Sequence, residues 1–446
     1  MSGSTLIMVA LAGIFLLLFL VIRTKLHAFV ALLLVSLLVG IAAGMPLNEV
    51  ITSIQNGMGG TLGFVAVVVG LGAMFGKMLE VSGGAERLAA TMISKFGEDK
   101  AQWALGVTGF IVAIPVFFDV GFIILVPIVY GLARKTGKSL LHYGIPLLAG
   151  LAVTHSFIPP TPGPIAVAEL VGAELGWVIL FGVIAGVPAM ILAGPVFGRF
   201  IGKRIHIEIP DYMEIEQKEY DKDLPSFGMI TSLILIPLVL ILLNTLSGVL
   251  LEEGNMLREI LTFLGHPFVA LTIATLLTFY LLGTKRGYSR QEVQDIATKA
   301  LEPAGIIILV TGAGGVFKQV LIDSGVGDVL GDMMGDSALP PIVLAFLIAT
   351  AVRVAQGSAT VAMVTAAGLI TPLLEMIGMT GPALGLIVIS IASGATVLSH
   401  VNDSGFWLVN RYFGMDVKDT LKSWTVMETI IGLTGFVVVL IISFFI

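Results

Sequence analysis

The chain contains no cysteine, so it can form neither a disulfide nor a thiolate metal site. Charge is scarce as well: 12% of the 446 residues are charged and 57% are hydrophobic, where soluble domains carry about a quarter charged residues. So little polar surface cannot enclose that much apolar material in water, and lipid must be the solvent for most of the chain. Basic residues form no clustered face and the net charge is −6, which argues against a nucleic-acid partner. No polar stretch is long enough to fold as a soluble domain. The one sizeable polar segment, His206–Pro225, has mixed charge and reads as a linker.

What is present instead is a series of apolar runs. Leu6–Ile22, Phe29–Ala43, Met229–Leu243 and Ile430–Ile446 are each long enough, or nearly so, to cross about 30 Å of hydrocarbon as a helix. The first has no basic residue before it and no small-residue cleavage site, so a retained helix is expected rather than a signal peptide.

The chain also repeats itself. The segment from Gly70 to Met92 aligns with Gly312 to Met334, with identities at Gly70/Gly312, Gly72/Gly314, Phe75/Phe317, Leu79/Leu321, Ser82/Ser324, Gly83/Gly325, Leu88/Leu330 and Met92/Met334. Earlier in each half, His27-Ala-Phe-Val-Ala-Leu32 matches His266-Pro-Phe-Val-Ala-Leu271. Repetition at this length points to a duplicated transporter half rather than a short-period solenoid. An all-α polytopic membrane protein of two inverted-topology repeats is therefore expected: residues 1–205, a cytoplasmic linker at 206–226, and residues 227–446. Each half reads as three spans, a hairpin-like pair, an interrupted span and a final span. In the first half these are 5–23, 27–45, 62–80, the pair around 102–134, the interrupted 143–170, and 177–200. In the second they are 228–250, 266–283, 303–322, the pair around 339–372, 382–410, and 424–446. The arms of each pair, about 12–16 apolar residues, are short for crossings, so re-entrant hairpins are expected. Five crossings per half then make the second half enter from the opposite side.

Charge placement bears on this independently. With both termini periplasmic, the cytoplasmic segments, linker residues Lys218 and Lys222 included, hold all but three of the 24 basic residues, as the positive-inside rule requires. The exceptions are Arg258, Lys318 and Arg353. The opposite-side loops, such as Met45–Thr61 and Asp323–Ser337, are acidic or neutral.

In lipid, backbone leaves the helix only where protein or a water-filled cavity satisfies it, so polar, Gly- and Pro-rich breaks in apolar runs mark the site. Two occur in each half. The first hairpin turns at Pro115–Gly121, containing Asp119; the first interrupted span breaks at Thr154–Pro164, containing His155, Ser156, Thr161 and Gly163. The second hairpin turns at Arg353–Thr360, containing Gln356, Gly357 and Ser358; the second interrupted span breaks at Ser399–Gly405, containing His400, Asn402, Asp403 and Ser404. This is the mixture a polyhydroxy acid needs: a cation or helix N-terminus for its carboxylate, and paired donors and acceptors for its hydroxyls.

The patterns FFDVGF, PP-x-PGP, R-x-x-QGSATVA and SH-x-NDSGFW resemble the gluconate permease family of proton symporters, within the ion transporter superfamily, over essentially the whole chain. Gln356–Ala362 with Asn402–Trp407 carries the specificity. At one position the chain departs: where many similar members have His between the prolines, it has Thr161. The resemblance implies uptake of gluconate or a related sugar acid with a proton, by alternating access across a bacterial-type inner membrane, and it admits a D-serine-like cargo. Arg353 is expected to pair with the substrate carboxylate and Ser358, Thr360 and Asn402 to bond hydroxyls. Asp403 first and Asp119 second are expected to carry the proton. No cofactor is expected, a homodimer is, and sodium is the alternative coupling ion, since hairpin carbonyls and hydroxyls can also cage Na⁺.

Blander readings attach to several residues. Asp119 and Asp403 can be helix caps, though a charge at membrane depth costs about 2.5–3.5 kcal/mol on insertion scales. His155 and His400 can cap backbone as readily as touch substrate. His27 and His266 suit interfacial roles, and His142 and His206 fall in cytoplasmic segments. The glycines of Gly70–Gly76 and Gly312–Gly315 read as close helix packing, Lys318 as a snorkelling or paired cation, and Trp103, Trp177 and Trp424 as interface anchors. Of the rival classes, an intramembrane enzyme has only His155 beside Ser156 in its favour, and a channel would need a continuous polar pore where this sequence has discrete breaks.

Overall fold

His27 and His266 start the second helix of each half in the same way: each Nδ1 accepts from the backbone N–H two residues on, Phe29 or Phe268, at 3.3 Å. The computed structural model describes residues 3–210, 224–325 and 339–446. The first half runs α1 (Gly3–Ile22), α2 (Ala28–Ala42), α3 (Leu47–Val81), α4 (Gly84–Phe96), α5 (Ala101–Val112), α6 (Phe118–Thr136), α7 (Leu140–Phe157), α8 (Pro162–Val171), α9 (Leu175–Ile191) and α10 (Phe197–Arg204). The second runs α11 (Phe227–Leu250), α12 (Met256–Leu264), α13 (Pro267–Thr278), α14 (Arg290–Asp323), α15 (Pro341–Gln356), α16 (Ala359–Met376), α17 (Pro382–Gly394), α18 (Ser404–Phe413), α19 (Val417–Thr420) and α20 (Val426–Ile442). Among the described residues there is no strand, and eight helical segments are long and apolar enough to cross a membrane.

Among the described residues the helices follow the expected order with differences in length, and Ala359–Met376, expected as a hairpin arm too short to cross, is itself long and apolar enough to do so. The spans expected over 62–80 and 303–322 are the apolar middles of α3 and α14, which have 35 and 34 residues. At about 1.5 Å per residue both exceed a hydrocarbon layer of about 30 Å. Polar turns prolong them: α14 opens on a capping box, with Ser289 and Glu292 each bonding the other's backbone N–H. In the hairpins the first arms, α5 and α15, are as short as expected. The second arms are longer, 19 and 18 residues, because α6 runs on through Leu132–Thr136 and α16 through Pro372–Met376. The amphipathic helices α4 and α12 were not among the expected elements. Most of the 206–226 linker, with Lys218 and Lys222, lies outside the described residues, as do Leu330 and Met334 of the repeat and the Asp323–Ser337 loop beyond Gly325.

The halves interlock. The second helix of each packs on the long helix of the other, α2 on α14 and α13 on α3, while α3 and α14 lie side by side. A Cβ on Gly57 would fall 2.6 Å from the Gly315 carbonyl oxygen, so the glycines here serve close packing. Broken spans fill the centre: 89% of the most apolar stretch of Leu140–Val171 is buried, against 39% for Phe227–Leu250 and for the last span. In both final spans one π-helical turn interrupts the helix, at Leu192–Val196 and Leu421–Thr425.

Candidate functional site

The second interrupted span supplies the most polar part of the interior. α17 ends at Gly394, and helix resumes at Ser404 with Asp403 as N-cap, its Oδ1 accepting from Gly405 N–H at 3.1 Å. Leu398 takes φ +55, a conformation L-residues avoid, and its N–H donates to Thr429 of the last span at 3.2 Å. This irregular backbone faces the tip of the second hairpin. There α15 ends on Gly357 at φ +94, whose N–H bonds the Arg353 carbonyl. A Cβ on Gly357 would lie 2.7 Å from the Asn402 carbonyl carbon, so glycine answers both the turn and the close approach.

Across this contact Arg353 Nη2 donates to Asp403 Oδ2 at 2.6 Å. The guanidinium is 2% exposed and the carboxylate 13%. Ser399 Oγ donates to the same Oδ2 and accepts from Trp424 Nε1 at 2.7 Å. A chain of bonds therefore runs from the last span through the break to the hairpin tip. His400 Nε2 lies 3.1 Å from the Val354 carbonyl oxygen, and Asn402 Nδ2 donates to that oxygen at 3.0 Å. A carbonyl only accepts, so the hydrogen sits on Nε2, leaving Nδ1 to accept from Asn402 N–H at 3.4 Å. Where the hairpin tip meets the break, Arg353 Nε and Nη1, Gln356 Oε1 and Asn402 Oδ1 are buried without a partner. Ser358 caps α16 by accepting from Val361 N–H. Thr360 and Ser404 stand in the first turns of α16 and α18.

The first half contributes less directly. Thr154 donates to the Phe110 carbonyl at 2.8 Å and Thr161 to the Ile158 carbonyl at 2.6 Å, so both hydroxyl protons are committed to local structure. Ser156 is buried. Gly163 abuts Met363 of α16, where a Cβ would meet the sulfur at 2.8 Å, tying this break to the second hairpin. His155 lies edge-on to Phe117 of the first hairpin tip, 6.4 Å between centroids, and its Nδ1 has no partner. Gly72 of α3 backs onto Pro160, and Gly76 onto the Pro115 carbonyl, which seats both discontinuous elements on one helix. Asp119 is exposed in the first turn of α6, close enough to Asp403 for the two carboxyls to repel. Beside it Phe118 packs on Trp424, 5.4 Å between centroids. The structure thus gathers the second hairpin, the second break and the head of α6 closely, with the first break on their flank.

Three side chains at this junction escaped the sequence reading. Trp424 is 3% exposed and bonded to Ser399, so it is no interface anchor; the π-turn carries it inward. Thr425 also bonds the Ser399 carbonyl. Glu428 is 4% exposed and stands within electrostatic range of Arg353 and Asp403. Its signal was a lone carboxylate one turn inside an apolar span. Lys318 is paired, donating to the Leu170 carbonyl at 2.8 Å and lying 3.3 Å from Glu375.

A cavity of about 370 Å³ opens between α3, α14 and the first hairpin tip, lined by Lys77, Glu80, Phe117, Val120, Lys299 and Glu302 among others. A larger recess of about 610 Å³ beside α12 is lined by none of the expected site residues.

Residues 4–445 match the GntP family permease family. The chain is 45% identical over 438 residues to the low-affinity gluconate transporter of Escherichia coli K12, covering 98% of each. It is 42% identical to a gluconate permease of Pseudomonas aeruginosa, covering 97% of this chain and 96% of that one. With the Gnt-II system L-idonate transporter of Escherichia coli K12 it shares 40% identity, over 97% and 98% of the two chains. Among solved structures, the YdaH transporter of Alcanivorax borkumensis superposes with a TM-score of 0.67 at 14% identity, covering 94% of this chain and 98% of that one. MtrF of Neisseria gonorrhoeae gives 0.63 at 13%, covering 92% and 93%.

Proposed function

This chain belongs to the GntP family of permeases, and from that premise we propose that it imports gluconate or a closely related sugar acid together with a proton, by alternating access between two inverted halves. The observation that carries the cargo is the set of buried atoms without partners: two guanidinium nitrogens of Arg353, and the side-chain oxygens of Gln356 and Asn402. Unpaired donors on a cation suit a carboxylate, and unpaired acceptors suit hydroxyl hydrogens. A sugar acid carries both on one short chain. The first turns of α16 and α18, with Ser358, Thr360 and Ser404, add helix N-termini and hydroxyls beside the guanidinium.

The Arg353–Asp403 pair supports proton coupling in the same place. A substrate carboxylate competes with Asp403 for one guanidinium. A proton arriving on Asp403 loosens that pair, so proton and anion favour each other's binding. The cavity beside Lys77 and Lys299 is walled by Phe117, on which His155 of the first break packs, and we take it as the cytoplasmic approach because basic residues gather there. The test is uptake of labelled gluconate into proteoliposomes under an imposed proton or sodium gradient. Accumulation driven by the pH gradient alone is the expected result. Saturable counterflow with a sodium dependence would replace the proton in this reading, and an absence of counterflow with any sugar acid would end it.

A further inference from the structure

Glu428 is an ionisable group that the scheme above leaves unused. It is 4% exposed on α20 and its Oε1 has no hydrogen-bond partner. Positions 424, 425, 428 and 429 share one helix face. Trp424, Thr425 and Thr429 each bond the 398–399 segment of the second break, so that face is turned toward it. Glu428 senses both Arg353 and Asp403 electrostatically. Of the neighbours of α20, α9 and α17 carry no ionisable side chain, the π-turn adds Lys422, α7 adds His142, Tyr143 and His155, and α15 adds Arg353. Asp119, on α6, faces Asp403 from the other side. One guanidinium therefore serves two carboxyls, Glu428 and Asp403, and its Nη2 is already on Asp403.

Charge balance at membrane depth constrains such a cluster, because an unpaired charge there is expensive. With Arg353 on Asp403, an anionic Glu428 has no cation of its own. With Arg353 on a substrate carboxylate, Asp403 loses its cation in turn. Resting on the proton-symport reading, we propose that Glu428 is a second proton-binding residue of this carrier, handing its proton to Asp403 when substrate takes Arg353. In that step the O–H bond on Glu428 breaks and one forms on Asp403. The cation meanwhile passes from Asp403 to the substrate carboxylate, and Glu428 is refilled from the periplasmic side. Burial beside the Ser399–Asp403 bond suits the role, since a group so placed delivers protons without admitting bulk water.

The experiment uses the full chain in proteoliposomes, comparing wild type with Glu428→Gln and Glu428→Asp. Gluconate counterflow, which requires no net proton movement, is read beside pH-driven accumulation and substrate-induced proton entry followed with a trapped dye. At a pH low enough to protonate Asp403 directly, Glu428→Gln should keep counterflow within about twofold of wild type, while its initial rate of pH-driven accumulation falls tenfold or more. Glu428→Asp should restore much of that rate, because it keeps a titrating group. Wild-type accumulation and proton entry in Glu428→Gln would overturn the proposal. If Glu428→Gln also loses counterflow, the ranking decides: an aspartate variant worse than the glutamine variant marks a shape requirement and overturns it. Failure of the wild-type protein to couple to protons is a different result, and sinks the symport reading itself.

Discussion

Arg353 and Asp403 lie 50 residues apart in the chain yet meet at 2.6 Å, nitrogen to oxygen, where two interruptions of the helical interior touch. In the proposed cycle the substrate carboxylate takes the place of Asp403 on that guanidinium.

Removing the guanidinium should therefore weaken substrate binding. Arg353→Gln is expected to lose about 1.5–3 kcal/mol, tenfold or more in affinity, and Arg353→Lys should not fully restore it, since an ammonium lacks the planar fork. The single variant also leaves Asp403 buried without its cation, a destabilising change. Combining Arg353→Gln with Asp403→Asn should recover thermal stability and leave affinity low. Wild-type affinity in both single variants, measured by isothermal titration in detergent, would take Arg353 out of the site.

Trp424 offers a test that separates the buried position from a membrane-interface one. Trp424→Phe keeps the ring and removes the N–H that reaches Ser399. A loss of about 1 kcal/mol in stability is expected, read as a lower melting temperature and accompanied by slower transport. An unchanged melt and rate would return the residue to the interface.

At Gly357 both conformation and space forbid a side chain, whereas Gly137 has φ +66 with nothing within 4 Å of an added Cβ. Gly137→Ala should cost about 1–2 kcal/mol, the price of a left-handed residue alone. Gly357→Ala adds the collision with Asn402 and should abolish transport even where protein is recovered. Equal activity of the two variants would argue against the tight hairpin-to-break contact.

The chain has no cysteine, so single-cysteine labelling needs no background removal. Cysteines at Asn48 and Glu253, both exposed, should react with an impermeant reagent from the periplasm, and one at Lys138 should react only from the cytoplasm. Labelling of all three from one side would dismiss the inverted arrangement.

The helical class, the order of elements and the location of the breaks were legible in the sequence because each is written locally, in apolar run length and in clusters of Gly, Pro and polar residues. Partnerships across the chain were not. Thr154 sits in a break and looks available, but its proton goes to Phe110 of a neighbouring helix. Trp424 looks like an anchor because span ends usually carry one, and only the π-turn reveals that it points inward. Glu428 was absorbed into an apolar span whose average hydropathy hides a single carboxylate. The second-half residues Arg353, Gln356, Asn402 and Asp403, which the structure brings to one junction, stood out because charge and amides are rare in such apolar stretches.

The exchange of helices between the halves bears on how the protein is made. Each long helix finds partners encoded more than 200 residues away, as Gly57 does at Gly315 and Leu71 at Thr275. The ribosome releases α3 well before α13 and α14 exist, so the glycine-lined flank of α3 precedes the helices that pack on it. Chains usually fold from the N-terminus as domains emerge, but here the early half must wait for the late one. The long helix of the first half therefore gains these contacts only once residues up to Asp323 have been made.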